Sequence, residues 1–431
     1  MNKTFKRVTA EGRNFQILAL PGANLYRFEI VNCYGSNIER EIEYRLGKNV
    51  YGISHFTEHL GFRAPKDYTT PQLIDLLKTE GTYNASTDHS RINYWFKSTM
   101  AHTGIANRLV CNYALNDLKG IPQDEFETER QVVYNEAKRY ADDDQTMFYF
   151  NSTPAICGYN EQDNILGIPE VIEKFTQEDA IMVKDIFLST GESVYTVIYD
   201  PMEKSEEDVI SDILTELDRF PRREDYNKNI SFAYRDMLAD PKLGEFKLEN
   251  ESEQAMTMLL LDNIDNVWTS RFANNYVSRY ATDISLTDII REQHGLTYGV
   301  SFYDDLVSYK PYTNFACDVT RGTEGFMMEL FTESVNKCAD AFDEAAYTKL
   351  RKTADLKRVM SYVNQENYSG IHWLALWSPS IVDVVGCEME EDIPTAMAAL
   401  DDLYANYDTT LNSLEKTRDL VNKKEWSIVT N

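Results

Sequence analysis

Between Gly52 and Phe62 the chain reads Gly52-Ile53-Ser54-His55-Phe56-Thr57-Glu58-His59-Leu60-Gly61-Phe62. On a helix, His55 and His59 lie one turn apart and project from the same face, so two imidazoles can reach one metal ion. Glu58 sits one turn from His55 and beside His59, close enough to hydrogen-bond a water held by such an ion. The order is H-x-x-E-H, the inverse of the H-E-x-x-H zinc-binding helix. A bland alternative is a solvated helix face that happens to carry two histidines and an acid. A third protein ligand distinguishes the two, because a catalytic zinc takes three protein donors and leaves one position open. Downstream, Glu129-Arg130-Gln131-Val132-Val133-Tyr134-Asn135-Glu136 sets two carboxylates seven residues apart. Two helical turns separate them, so both share a face able to approach the histidines.

The elements that must position these residues follow from hydrophobic periodicity. Strands are expected at Asn14–Leu20 and Leu25–Cys33, joined by the turn at Pro21-Gly22. Helices follow at about 52–62 and 71–78, then a hairpin of 84–87 and 91–98 with Asp88-His89-Ser90 at its turn. Long helices are expected at 104–118 and 124–142, a buried strand at 194–199 and an amphipathic helix at 206–218. The polar break Phe220-Pro221-Arg222-Arg223-Glu224-Asp225 ends this series, and the order of elements then starts again. Strands at 255–261, 296–303 and 314–319 alternate with helices at 270–280, 287–292, 324–339 and 343–362. A helix at 411–422 and a strand at 426–430 close the chain. Strands alternating irregularly with long helices give an α+β fold of two similar layered domains, each an antiparallel-rich sheet packed with helices. The expected boundaries are 1–221 for the first domain, 222–241 for a linker and 242–431 for the second.

Composition narrows the function. The chain has 431 residues, with 43 Lys+Arg against 70 Asp+Glu and a formal charge of −27. Such a charge repels phosphates, so neither nucleic acid nor an anionic membrane is an expected partner, while basic peptides are attracted. Neither a phosphate-binding Gly-rich loop nor a dinucleotide fingerprint is present. The N-terminal stretch has no apolar block of a signal peptide and no segment is long and apolar enough to span a bilayer, which makes cytoplasmic the expected location. Cys33, Cys111, Cys157, Cys317, Cys338 and Cys387 are widely spaced and read as reduced, buried thiols. His89, His102 and His294 have no ligand-type partners at ligand spacing. His372-Trp373 with Trp377 reads as packing, and Asp142-Asp143-Asp144 as a solvated helix end.

Three motifs resemble one family. His55–His59 with the downstream carboxylate pair is similar to the zinc motif of the pitrilysin, insulin-degrading enzyme and mitochondrial processing peptidase family of inverted-motif metallopeptidases. Asn84-Ala85-Ser86-Thr87, after Gly81, resembles that family's substrate-binding edge strand. Arg291-Glu292-Gln293-His294-Gly295-Leu296-Thr297-Tyr298 resembles its Arg/Tyr signature. Arg63-Ala64-Pro65-Lys66 departs from the small-residue stretch that follows the motif in the family, and Asp88-His89-Ser90-Arg91 departs from its usual turn.

The resemblance implies the duplicated pitrilysin-type fold and a zinc metalloendopeptidase. His55, His59 and Glu136 are then ligands of one Zn²⁺ per chain, and Glu58 the general base that takes a proton from water and passes it to the leaving amine. Glu129 becomes the residue that orients a histidine ring. Asn84 and Ala85 pair with an extended substrate backbone, and Arg291 and Tyr298 hold substrate carbonyls and the oxyanion. The chain matches the short, two-domain type, which implies a homodimer enclosing a chamber that admits peptides and unfolded segments. The alternative is a catalytically inactive member serving as a scaffold or partner subunit.

Overall fold

Two sheets carry the chain in the computed structural model. It describes residues 4–32, 34–88, 91–157, 165–189, 193–220, 241–249, 252–263, 269–307, 310–363, 401–402 and 404–431. Residues 222–240 of the expected linker, the His372-Trp373-Trp377 group, His89, Cys33 and Cys387 lie outside the described residues.

The first sheet has six strands: β1 (Thr4–Ala10), β2 (Arg13–Ala19), β3 (Leu25–Asn32), β4 (Thr82–Thr87), β5 (Ile92–Thr99) and β6 (Ser193–Tyr199). They run in the order β1-β2-β6-β3-β5-β4. Alternate residues of each strand point to one face. Thus Tyr26, Phe28 and Ile30 of β3 join Ile92, Tyr94 and Phe96 of β5 in a buried core. Helices cover that face. They are α1 (Glu39–Leu46), α2 (Ile53–Leu60), α3 (Thr70–Thr79), α4 (Thr103–Ala114), α5 (Gln123–Ala141), α7 (Pro169–Ile172), α8 (Gln177–Ser189) and α9 (Glu206–Leu217); α6 (Asp144–Cys157), between α5 and α7 in sequence, is not among them and packs with the second sheet. From α2, Ile53, Phe56 and Leu60 enter the core, and from α5, Phe126, Val133 and Ala137 do so. The ends of α5 suit its dipole, with Asp124 and Glu125 in the first turn and Lys138 and Arg139 in the last.

The second sheet has five strands: β7 (Gly244–Lys247), β8 (Gln254–Leu261), β9 (Val300–Val307), β10 (Lys310–Thr320) and β11 (Ser427–Thr430). Their order is β7-β11-β8-β10-β9. Without β1, the first sheet follows the same winding, strand for strand. In each, one parallel pair (β2 with β6, β7 with β11) is followed by antiparallel neighbours. The duplication expected from element order is therefore present in the topology. The helices of this half are α10 (Arg271–Asn275), continued by a π-helical turn Tyr276–Tyr280, then a π-helical segment Thr287–Gln293, α11 (Glu324–Ala341), α12 (Glu344–Val363) and α13 (Tyr407–Lys423).

The described residues group into two compact units, one built on each sheet, with Asp143–Cys157 grouping with the second. Within that second unit, Phe148, Ile156 and Cys157 of α6 pack against Met256, Met258 and Leu260 of β8. Tyr149 Oη donates to Asp318 Oδ1 at 2.6 Å. The Asp142-Asp143-Asp144 run is the joint between α5 and α6. Strand β9 begins four residues later than the periodicity suggests. Gly295, in the left-handed region with φ of 60°, breaks the chain there, and Tyr298 lies in the resulting loop. Cys111, Cys157, Cys317 and Cys338 are reduced and buried. No helix among the described residues is long and apolar enough to cross a membrane.

Candidate metal centre

Helix α2 carries His55, Glu58 and His59, and several contacts fix its position. Its N-terminal amides would be unsatisfied donors, and the buried Glu39 carboxylate accepts two of them, from Gly52 at 2.8 Å and Ser54 at 2.7 Å. Gly52 has a φ of 93° and meets Gly167 backbone to backbone, so closely that a Cβ on it would lie 2.5 Å from Gly167 Cα. At the other end, Asn116 Nδ2 donates to the carbonyls of Gly61 at 3.2 Å and Arg63 at 2.8 Å. α5 then presents Glu129 and Glu136 to the histidine face, as their two-turn spacing requires.

The donors converge. His59 Nε2 lies 3.5 Å from Glu136 Oε2, and His55 Nε2 lies 4.0 Å from the same atom. One ligand atom from each of the three residues falls within a 4.8 Å cluster. Tetrahedral zinc with bonds of about 2.0–2.1 Å sets its ligands about 3.4 Å apart, so the 3.5 and 4.0 Å separations from Glu136 Oε2 need to shorten by only tenths of an ångström. The histidine rings stand edge to face, with centroids 4.7 Å apart.

Glu129 serves the ring, not the cluster. Its Oε1 is 2.8 Å from His59 Nδ1, which fixes the ring so that Nε2 faces Glu136. Its Oε2 accepts from Arg63 Nε at 2.6 Å and from Arg63 Nη2. Burial alone would raise the Glu129 pKa, but the His59 bond and the Arg63 guanidinium outweigh it and hold the carboxyl below its usual range. Burial also pulls His59 downward, and the Glu129 bond with the nearby carboxylates reverses this and raises it. His55 has no such partner. Burial, then its neighbour His59, push its pKa down to about 3, and its Nδ1 is buried with no hydrogen bond. A neutral imidazole is the form that ligates a metal.

Glu58 is 7% exposed and accepts a hydrogen bond at Oε2 from Thr87 Oγ1, 2.8 Å away. No hydrogen bond reaches its Oε1 among the described residues. Burial raises its pKa, with His59 and the Thr87 bond opposing. Beneath α2, the buried Lys184 of α8 donates to Tyr94 Oη at 3.2 Å. Burial lowers this lysine to about 7, against the opposing pull of Glu58.

Among the described residues, strand β4 ends the first sheet, pairing only with β5, and holds an exposed Asn84 and a half-buried Ala85. Arg291 and Tyr298 belong to the second unit. The Arg291 guanidinium lies 5.4 Å from the centroid of the Tyr298 ring, which is 92% exposed. The tyrosine is in a loop, where the sequence suggested a strand. His102 pairs with Glu80 at 2.9 Å, and His294 stands against the Phe326 ring.

Sequence reasoning missed Glu39, and although it named Thr87 in the edge-strand motif and Arg63 after the zinc motif, it gave neither a contact at the centre. Arg63 follows His59 by four residues, which was a signal for its place.

The sequence model of the family described as Insulinase (Peptidase family M16) matches residues 47–151, which span α2 and α5. Within residues 47–151 the chain is therefore similar to an M16 peptidase domain. A relative from Rickettsia felis, described as an uncharacterized zinc protease, is 24% identical over 176 residues. That alignment covers 40% of this chain and 40% of the relative. The crystal structure of a protease from Helicobacter pylori matches with a TM-score of 0.67 and 14% identity, over 100% of this chain and 99% of that one. A peptidase M16 inactive domain from Pseudomonas fluorescens matches with a TM-score of 0.70 and 13% identity, over 100% and 97%. These likenesses show that the pitrilysin-type fold extends beyond the M16 match to the whole chain.

Proposed function

We propose that this chain is a zinc-dependent metalloendopeptidase acting on peptides and unfolded protein segments. One observation carries the reading: His55 Nε2, His59 Nε2 and a Glu136 carboxylate oxygen converge within 4.8 Å on an M16 domain, with Glu58 on the same helix. His55, His59 and Glu136 would hold one Zn²⁺. Zinc in such a site supplies Lewis acidity and makes a water acidic near neutral pH.

The chain's own groups do the rest. Glu58 takes the proton of the attacking water at Oε1 and returns it to the leaving amine nitrogen. Glu129 holds the His59 ring through Nδ1. β4, which has no strand on its outer edge among the described residues, offers that edge at Asn84 and Ala85, so an extended peptide docks by strand addition with little choice of side chain. Arg291 and Tyr298 are assigned to the substrate carbonyl and the developing oxyanion, in a homodimer that prefers basic peptides. The competing reading is an inactive scaffold or partner subunit. A quenched-peptide assay of wild type and E58Q, with and without a chelator, decides between them. Wild type is expected to cleave, chelation to abolish cleavage, and E58Q to bind zinc but lose at least about 100-fold in kcat. A zinc-loaded wild type inert toward unfolded peptides, or an E58Q as active as wild type, refutes the peptidase reading.

A further inference from the structure

Glu58 is held from the side of the sheet as well as by its own helix. The hydroxyl that bonds its Oε2 belongs to Thr87, the last residue of β4, the strand that takes the peptide in the reading above. That strand end is tightly anchored. Ser86 Oγ, on the opposite face, bonds to Asn93 of β5, and Asn93 Nδ2 donates to the buried Glu29 at 2.8 Å. The following turn is closed by Asp88 N donating to Arg91 O at 2.9 Å and by Ser36 N donating to Asp88 O at 3.1 Å. Thr87 therefore presents its hydroxyl from a fixed backbone.

A glutamate side chain ends in a soft torsion, and a carboxylate with no donor turns freely between its two oxygens. A hydroxyl donating to one oxygen stops that rotation, and bonds of this charge-assisted kind are about twice as strong as neutral ones. It also determines which oxygen remains to receive a proton. We propose that Thr87 is a positioning residue for Glu58, fixing the carboxylate through Oε2 and tying its alignment to the strand on which the peptide docks. The inference rests on the peptidase reading of the site. It adds that the geometry of the base depends on the substrate-binding edge and not on α2 alone.

Three variants of the full chain test it. T87V keeps the β-branched shape and strand propensity but removes the hydroxyl; T87S keeps the hydroxyl and removes the methyl; T87A removes both. In zinc-loaded protein, T87V and T87A are expected to lower kcat about tenfold or more while KM and zinc content stay near wild type. T87S is expected to retain most of the wild-type kcat. A purely structural threonine gives the reverse order, with T87V close to wild type and T87S impaired alongside a lowered Tm. A second measurement needs no turnover. In crystal structures, Glu58 should keep its place in wild type and T87S and turn away in T87V. An unmoved Glu58 in T87V, or a T87V kcat equal to wild type, overturns the proposal. Loss of the peptidase reading looks different, because wild type is then inert while the Glu58 displacement in T87V persists.

Discussion

At the scale of single residues, the His59 side of the centre is built outward through Glu129 to Arg63. An imidazole ligates through Nε2 only if its other nitrogen holds the proton, and Glu129 Oε1 is the acceptor for that proton. A lone carboxylate could serve two orientations, but Arg63 grips its other oxygen through Nε and Nη2 and leaves one. R63M is therefore expected to weaken zinc binding about tenfold, and E129A by about 10- to 100-fold, read by competition with a chromogenic chelator. Wild-type affinity in both variants would remove Glu129 from the site. A second buried carboxylate acts on stability. Asp200 accepts from the amides of Asn24 at 2.8 Å, Gly22 at 2.9 Å and Met202 at 3.0 Å. Burial pushes its pKa up, but these three donors outweigh it and hold the carboxyl below the usual range. A pKa lowered in the folded state stabilises the protein above the unfolded value, near 4. That contribution is lost as pH falls through the folded value. D200N should be less stable than wild type by about 1–2 kcal/mol at pH 7. The gap should close in urea melts taken below pH 3, and a gap independent of pH contradicts the assignment.

At the scale of elements, the chemistry depends on where α2 begins. Gly52 and Gly167 cross backbone to backbone, and both have left-handed φ values, 93° and 79°. A Cβ at Gly167 would meet Gly52 Cα at 2.6 Å, and neither backbone can yield without moving the first turn of α2. G167A should cost about 2 kcal/mol or more and lower zinc occupancy, checked by thermal melts and metal analysis. A variant with wild-type Tm and zinc content would show that the crossing does not set the helix. The outcome also marks what could be read beforehand. The one-turn spacing of His55 and His59 and the two-turn spacing of Glu129 and Glu136 follow helical geometry, so the shared face of each pair was legible in the sequence, while the meeting of the two faces was implied only by the family resemblance. The crossing with Gly167, the cap from Glu39 and the bond from Thr87 join residues distant in sequence with no periodic signature. Strand β1, with the polar sequence Thr4-Phe5-Lys6-Arg7-Val8-Thr9-Ala10, was missed for a different reason. It is an edge strand, where charged residues discourage further pairing and hide the alternation. Helix α6 was missed too: its apolar residues do not gather into one stripe, and Pro154 interrupts it.

For the whole molecule, the dominant quantity is a formal charge of −27. Charge of this size acts on association more than on fold, through a field that attracts cationic partners and is screened by salt within a Debye length of about 10 Å at 0.1 M. The centre itself adds to it. Glu58, Glu129 and Glu136 surround two imidazoles, with Arg63 the one cation bonded to them among the described residues. A basic peptide should therefore be captured faster than a neutral one of equal length, and the advantage should reside in kcat/KM while kcat stays similar. Raising NaCl from about 0.05 M to 0.5 M is expected to cut kcat/KM for the basic peptide about tenfold. The neutral peptide should change less than twofold over the same range, because it carries no net charge for the field to act on. Equal salt dependence for the two peptides would place the acidic excess away from the route to the centre. The specificity would then rest on backbone pairing at β4 alone.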